Sequence, residues 1–261
     1  MNQFREKVMQ TKVPENCLSI FWLEQSHFLF KTSAGTLIHV DPFLSRDVKP
    51  ENHIYPKPLM WPNEAPGDYV FLTHDHRDHT DPHTLGPMRE NNPECRFIGP
   101  RESVERCISE ADIPPARLQE IKEGETQNFD GFSVKAVFSH DTANVPNTTH
   151  LGFIFDFGGL VVYHAGDTRS DVENYEAKLD PIRNLQPDAL IVAINRKYNN
   201  PGPEGALRIV EMCKPHTIIP CHFDCFKDNT LDPQEFVDIV PEADRSRITV
   251  MNRGEVLNLS A

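Results

Sequence analysis

Three histidines and two aspartates fall within six residues, His74-Asp75-His76-Arg77-Asp78-His79, directly behind a short apolar run, Tyr69–Thr73. In a chain of this length and composition the pattern H-x-H-x-D-H has a chance expectation on the order of 0.002. The apolar run reads as a short buried strand, so these ligand-type groups sit at its C-terminal end. On an extended segment His74 and His76 project to the same side and can hold one metal. Asp78 and His79 follow after the chain turns, at the expected start of a helix, and can face a second. Imidazole and carboxylate suit zinc, manganese or iron, and a cluster without cysteine argues against a purely structural zinc.

The rest of the chain alternates strand and helix patterns. Cys17–Leu23, His27–Thr32 and Thr36–Asp41 read as a meander. Further strands are expected at Phe132–Phe138, Leu151–Phe157, Leu160–His164, Ala189–Ile194, Thr217–Pro220, Ile248–Met251 and Val256–Leu259. Helices are expected at Arg101–Ala111, Pro203–Cys213 and Pro233–Val240, the last two opened by proline. Hairpins come early in each half and βα units later. That order predicts an α/β fold of two mixed sheets stacked face to face with helices outside. No repeat and no linker composition appears, so one domain is expected over 1–261. Pro50–Gly67 is too proline-rich for a helix or central strand and too apolar for a plain linker, so it reads as an ordered loop, of the kind that forms lids.

Composition narrows the function. The net charge is −13 and the pI about 5.3, which disfavours a nucleic-acid binder. An anionic substrate would need local cations or metal. No apolar run approaches the ~18 residues of a membrane span, and Met1–Asn16 lacks the apolar stretch of a secretory signal. The six cysteines then read as reduced thiols of a cytoplasmic protein, and Cys221 and Cys225, flanking His222, as small buried hydrophobes.

Two metals need more ligands than the motif supplies. Three candidates end later strand patterns: His140, Asp167 in YHAGDT, and His222 in IIPCHFD. With them the chain resembles the metallo-β-lactamase superfamily. WLEQSHF at Trp22–Phe28, FIGPRESVE at Phe97–Glu105, VVYHAGDTRSD at Val161–Asp171 and IIPCHFDCFKDNTLDPQEF at Ile218–Phe236 resemble its L-ascorbate-6-phosphate lactonase family.

The resemblance implies a four-layer αβ/βα sandwich and two divalent ions, zinc or manganese. His74, His76 and His140 would bind the first, Asp78, His79 and His222 the second, and Asp167 would bridge. His150 is the alternative to His140, and otherwise a substrate-facing or proton-transfer residue. Asp41, in VDP, would steady a ligand histidine, and His164 would be structural. Two cations sharing a water lower its pKa from 15.7 to about 7, and the resulting hydroxide would attack a lactone carbonyl or a phosphoryl centre. Asp78 or Asp167 would take the proton. Arg77, Arg169, Arg196 and Lys197 flank the site, and of these Arg169, Arg196 and Lys197 are the expected contacts to a small anionic substrate. The chain departs from the phosphate-sugar lactonases in being shorter and in matching only loosely at Asn195–Gly205, a segment expected to face substrate. A phosphodiesterase or ribonuclease of the same superfamily and a non-catalytic regulatory protein are the rival readings. The oligomeric state is open.

Overall fold

The computed structural model describes every residue except Met1 and positions 48–49, 141–147 and 170–175, and for His140 the backbone alone. The described chain forms two compact units, Met1–Ile121 with Asn252–Ser260, and Lys122–Met251 with Ala261.

The first unit is built on a seven-stranded mixed sheet. Helix α1 (Gln3–Gln10) leads into β1 (Cys17–Glu24), β2 (His27–Thr32) and β3 (Leu37–Val40). Then come β4 (Tyr69–Phe71), α2 (Pro82–Asn91), β5 (Arg96–Gly99), α3 (Arg101–Ala111) and β6 (Leu118–Glu120). The first three strands form an antiparallel meander, and β3 to β6 run parallel. A strand from far along the chain, Val256–Ser260, closes the other edge by pairing antiparallel with β1, and Ser19 Oγ donates to Asn258 Oδ1 at 2.6 Å across 239 residues. The apolar faces of all three helices meet the sheet in one core: Phe4 and Val8 of α1, Leu85 and Met88 of α2, and Cys107 and Ala111 of α3, against Phe21, Leu29, Val70 and Phe97.

Proline at the first position and Asp81 as cap fix the start of α2: Asp81 accepts the His83 N–H at 3.2 Å and the Thr84 hydroxyl at 2.6 Å. The helix therefore begins at Pro82, later than the sequence suggests. Asp78 and His79 sit in the turn before it, where the His79 and Thr80 amides both donate to His76 O at 3.0 and 2.7 Å.

Pro50–Gly67 is ordered and pinned. Arg46 Nε donates to Tyr55 O at 3.0 Å and Arg253 Nη2 to Lys57 O at 2.7 Å, while Arg253 lies 4.3 Å over the Tyr55 ring. Both guanidiniums converge on the buried Glu24 carboxylate, at 2.5 and 2.9 Å. Burial raises the Glu24 pKa and the two arginines oppose that shift.

The second unit carries a six-stranded mixed sheet. Strands β7 (Thr126–Phe129), β8 (Phe132–His140), β9 (His150–Asp156) and β10 (Val161–His164) form an antiparallel meander. Strand β11 (Ala189–Ala193), helix α4 (Gly202–Cys213), strand β12 (Thr217–Cys221) and helix α5 (Gln234–Ile239) follow, and β10, β11 and β12 run parallel. The strand that closes the first unit's sheet is β13 (Val256–Ser260). Both sheets thus have an antiparallel half and a parallel half, the arrangement that early hairpins and later βα units predict. The expected strand at Ile248–Met251 is reduced to one bridge, Ile248 to Ile218, directly after a 3-10 turn over Glu242–Arg247, with the Thr249 amide donating to Ile218 O at 2.8 Å. No described helix is long and apolar enough to cross a membrane. All six cysteines are free thiols, and burial pushes those of Cys95, Cys107 and Cys213 up to about 12, so they are unreactive.

Candidate metal centre

Ligand-type side chains gather behind the parallel strands of each unit, the end of an α/β sheet at which sites form. In the first unit they follow β4. The Asp41 amide donates to Phe71 O and the Leu72 amide to Ile98 O, so sheet-like pairing continues past Phe71 and delivers Thr73 and His74 into the interior. Beyond them the residues alternate. Asp75 and Arg77 turn to α3, with Asp75 2.8 Å from Arg106 Nε and Arg77 3.0 Å from Glu110. His74 and His76 turn together, His74 Nε2 lying 2.9 Å from His76 Nδ1. The shared side expected of residues i and i+2 is therefore present, although the segment lies beyond the last paired strand residue.

Proton counting fixes two tautomers. Both oxygens of Asp41 accept: Oδ1 from the Thr73 amide at 2.7 Å, Oδ2 from the Thr73 hydroxyl at 2.7 Å and from His79 Nδ1 at 2.7 Å. With its proton on Asp41, Thr73 Oγ1 can only accept from His74 Nδ1, at 3.0 Å. Both rings thus carry their proton on Nδ1 and present the Nε2 lone pair, the form in which imidazole ligates a metal. His79 Nε2 lies 3.7 Å from Asp78 Oδ2, and the Gln25 amide donates to that same oxygen at 2.8 Å. His74 and His79 are fully buried, so their two preset lone pairs lie in a dry setting, with the Asp78 carboxylate beside His79 still 26% exposed. This donor set fits a divalent cation.

In the second unit the set follows β10 and β12. The turn after His164 is stapled by Ser139 Oγ, 2.6 Å from Ala165 O and 2.9 Å from Asp167 O. His164 Nδ1 accepts the Gly166 amide at 3.2 Å, a backbone-positioning contact in keeping with its expected structural role. Asp167 is buried, with Oδ1 3.2 Å from His222 Nε2 and Oδ2 accepting from Asn200 Nδ2 at 3.1 Å. His222 follows β12 with φ of 65°, a strained left-handed conformation that turns its ring out of strand register. His150 opens β9 and is buried, and it pairs in register with His140, whose side chain lies outside the described residues. Among the expected anion contacts, the Arg196 guanidinium bridges Glu204 at 3.2 Å and Glu235 at 3.3 Å, Lys197 is exposed, and Arg169 is half-buried.

Four positions here carry no motif signature: Thr73, Gln25, Asn195 and Asn200. Thr73, Gln25 and Asn200 touch ligand candidates through ordinary hydrogen bonds, and Asn195 reaches one only through Asn200. The stretches that hold them, Tyr69–Thr73, WLEQSHF and Asn195–Gly205, stand out in the sequence, but none of the four does as a contact.

The profile of the beta-lactamase superfamily domain matches residues 36–223. The chain belongs to that superfamily. Its two mixed sheets flanked by helices match the metallo-β-lactamase fold. Among relatives of this superfamily member, a protein described as a UPF0173 metal-dependent hydrolase from Methanosarcina mazei is 25% identical over 252 residues, covering 93% of this chain and 99% of its own. Among solved structures, the superfamily fold is shared with Igni18, a metallo hydrolase from Ignicoccus hospitalis, with a TM-score of 0.71 at 21% identity over 94% of this chain and 99% of that one. An isothiocyanate hydrolase from Delia radicum gut bacteria is similar as well, with a TM-score of 0.70 at 19% identity over 93% of this chain and 100% of that one.

Proposed function

We propose that the chain is a metal-dependent hydrolase that opens a lactone of a small anionic, phosphorylated or carboxylated, sugar derivative. The observation that carries the metal dependence is the Asp41–Thr73 arrangement, which sets His74 and His79 as Nδ1–H tautomers with Nε2 as the unprotonated nitrogen. The names of relatives, metal-dependent hydrolase among them, agree with it.

In this reading His74, His76 and His140 hold one ion, Asp78, His79 and His222 a second, and Asp167 bridges, with zinc or manganese as the metal. When bound, the ions supply Lewis acidity that polarises a carbonyl or phosphoryl oxygen and lowers the pKa of water. The chain's own residues do the rest. Asp78 or Asp167 accepts the proton of the attacking water at a carboxylate oxygen, and that proton passes by way of His150 to the leaving alkoxide, which restores both groups. Lys197, with Arg169 and Arg196, meets the substrate's negative charge. The lactone preference is supported by the stretch Ile218–Phe236, which resembles the lactonase family beyond the ligand His222 itself. In this stretch Asn229 is buried and accepts from Asn195 Nδ2 at 3.1 Å. A cytoplasmic setting is part of the proposal.

The experiment is a hydrolysis screen over sugar lactones, phosphorylated lactones and phosphodiesters with zinc or manganese added. Lactone hydrolysis abolished by chelator and restored by metal is expected. Good phosphodiester cleavage with no lactone hydrolysis would overturn the substrate class and keep the metal.

A further inference from the structure

We infer that Gln25 and Asn200 are positioning residues, each of which fixes a carboxylate proposed as a metal ligand through a neutral carboxamide. The inference rests on the metal-dependent reading above. Gln25 Nε2 donates to Asp78 Oδ2 at 2.8 Å, and Asn200 Nδ2 to Asp167 Oδ2 at 3.1 Å.

Neither contact is incidental. Gln25 stands in the β1–β2 hairpin turn, where a polar side chain ordinarily faces water, yet it is fully buried. The backbone is strained to achieve this: φ is 126° at Glu24 and 53° at Gln25, values that L residues rarely adopt. Trp22 Nε1 donates to Gln25 O at 3.1 Å and holds the turn in that state.

Asn200 ends a ladder of buried amides. Its Nδ2 also donates to Asn195 Oδ1 at 2.9 Å, and Asn195 Nδ2 donates to Asn229 Oδ1 at 3.1 Å. Flipping Asn200 would set its oxygen against two acceptors, Asp167 Oδ2 and Asn195 Oδ1, so these two contacts fix which end of the amide meets Asp167.

The choice of a carboxamide has an electrostatic consequence. Lysine or arginine at either place would orient the carboxylate but cancel its charge and repel the incoming cation. An amide orients the carboxylate and leaves its charge for the metal. The histidine side shows the complementary choice, a carboxylate (Asp41) behind the ring of His79.

The test is zinc affinity, measured on stripped protein by competition with a chelating indicator, with Tm recorded for each variant. Gln25→Met and Asn200→Leu keep the shape and lose the donor, and each should weaken zinc binding about 10- to 100-fold. Gln25→His restores an N–H donor and should recover most of the loss. Asn229→Ala cuts the far end of the ladder, so it should lower Tm while holding zinc affinity within about twofold. Folded Gln25→Met and Asn200→Leu proteins with wild-type affinity would overturn the inference. So would an Asn229→Ala protein that loses as much affinity as Asn200→Leu, since the ladder would then act only as structure. Wild-type protein that binds neither zinc nor manganese overturns instead the metal reading on which the inference rests.

Discussion

Asp41 Oδ2 lies 2.7 Å from His79 Nδ1, and both side chains are wholly buried. The same carboxylate accepts the amide and the hydroxyl of Thr73. One acidic side chain thereby closes the end of β4 and sets the protonation of the ring that follows it. Asp41→Ala leaves three buried donors without an acceptor, at a cost of about 3–5 kcal/mol. Zinc affinity should fall about 10- to 100-fold as well. Urea denaturation and zinc titration check the two parts separately. A variant as stable as wild type would show that water replaces the carboxylate.

Asp167 is the proposed bridge, so its loss should be felt by both ions. Asp167→Ala is expected to lower bound metal per chain at both positions, measured by elemental analysis after dialysis. Unchanged metal content would remove Asp167 from the centre.

Stability should depend on pH through two histidines away from the ligand set. His39 Nε2 donates to Pro66 O at 2.8 Å, so its Nδ1 accepts from His27 Nε2, also at 2.8 Å, and His27 Nδ1 faces the Phe43 amide at 3.4 Å. Both rings are neutral in this chain of bonds. Burial brings the His39 pKa down to about 4, against a raising effect of the Pro66 carbonyl, and burial with the neighbouring His39 holds His27 well below its ordinary value. The unfolded chain therefore binds more protons than the folded one below pH 6.5. The stabilisation is whole above that pH and is lost as pH falls toward 4, with His39 contributing up to about 3 kcal/mol. Urea midpoints between pH 8 and pH 4.5 should fall more steeply for wild type than for His39→Asn. Parallel curves would sink the assignment.

Charge selectivity should separate Lys197 from Arg196. Arg196 already faces two carboxylates, whereas Lys197 is exposed. Removing both should raise KM for an anionic lactone about 10- to 150-fold more than for its neutral analogue. Lys197→Ala alone should account for most of that. Equal losses on both substrates would take the pair out of the substrate site.

Much of this was legible in the residues. The crowding of His74, His76, Asp78 and His79 behind an apolar run carries its own meaning, because few other uses bring so many ligands together. The meander and the βα units followed from alternation and from proline at helix starts. Short or polar elements were not legible. Strand β7 reads TQNF and β6 reads LQE, neither of them apolar, and each is an edge strand defined by its neighbour. Strand β5, RFIG, was hidden for a different reason, its brevity: three buried residues give no period to read. Helix α2 carries an internal proline and a weak apolar stripe, so pattern alone misses it. The amides of Gln25, Asn195 and Asn200 act by where the fold brings them, and an asparagine in NRKYNNP looks like any turn residue until its partner is known.

The pairing of Ser19 with Asn258 has a consequence for synthesis. At 5–20 residues per second, the ribosome needs roughly 10–50 s to advance the 239 residues from one to the other. Through that interval the β1 edge, with Leu18, Ile20 and Trp22, waits without the strand that completes it. The nascent first unit can gather its meander and helices early, but its outer ladder closes only when the second unit has already emerged. Any delay in elongation lengthens the exposure of an apolar edge, so yield in a cell should respond to translation speed and to chaperone supply even where the finished protein is stable.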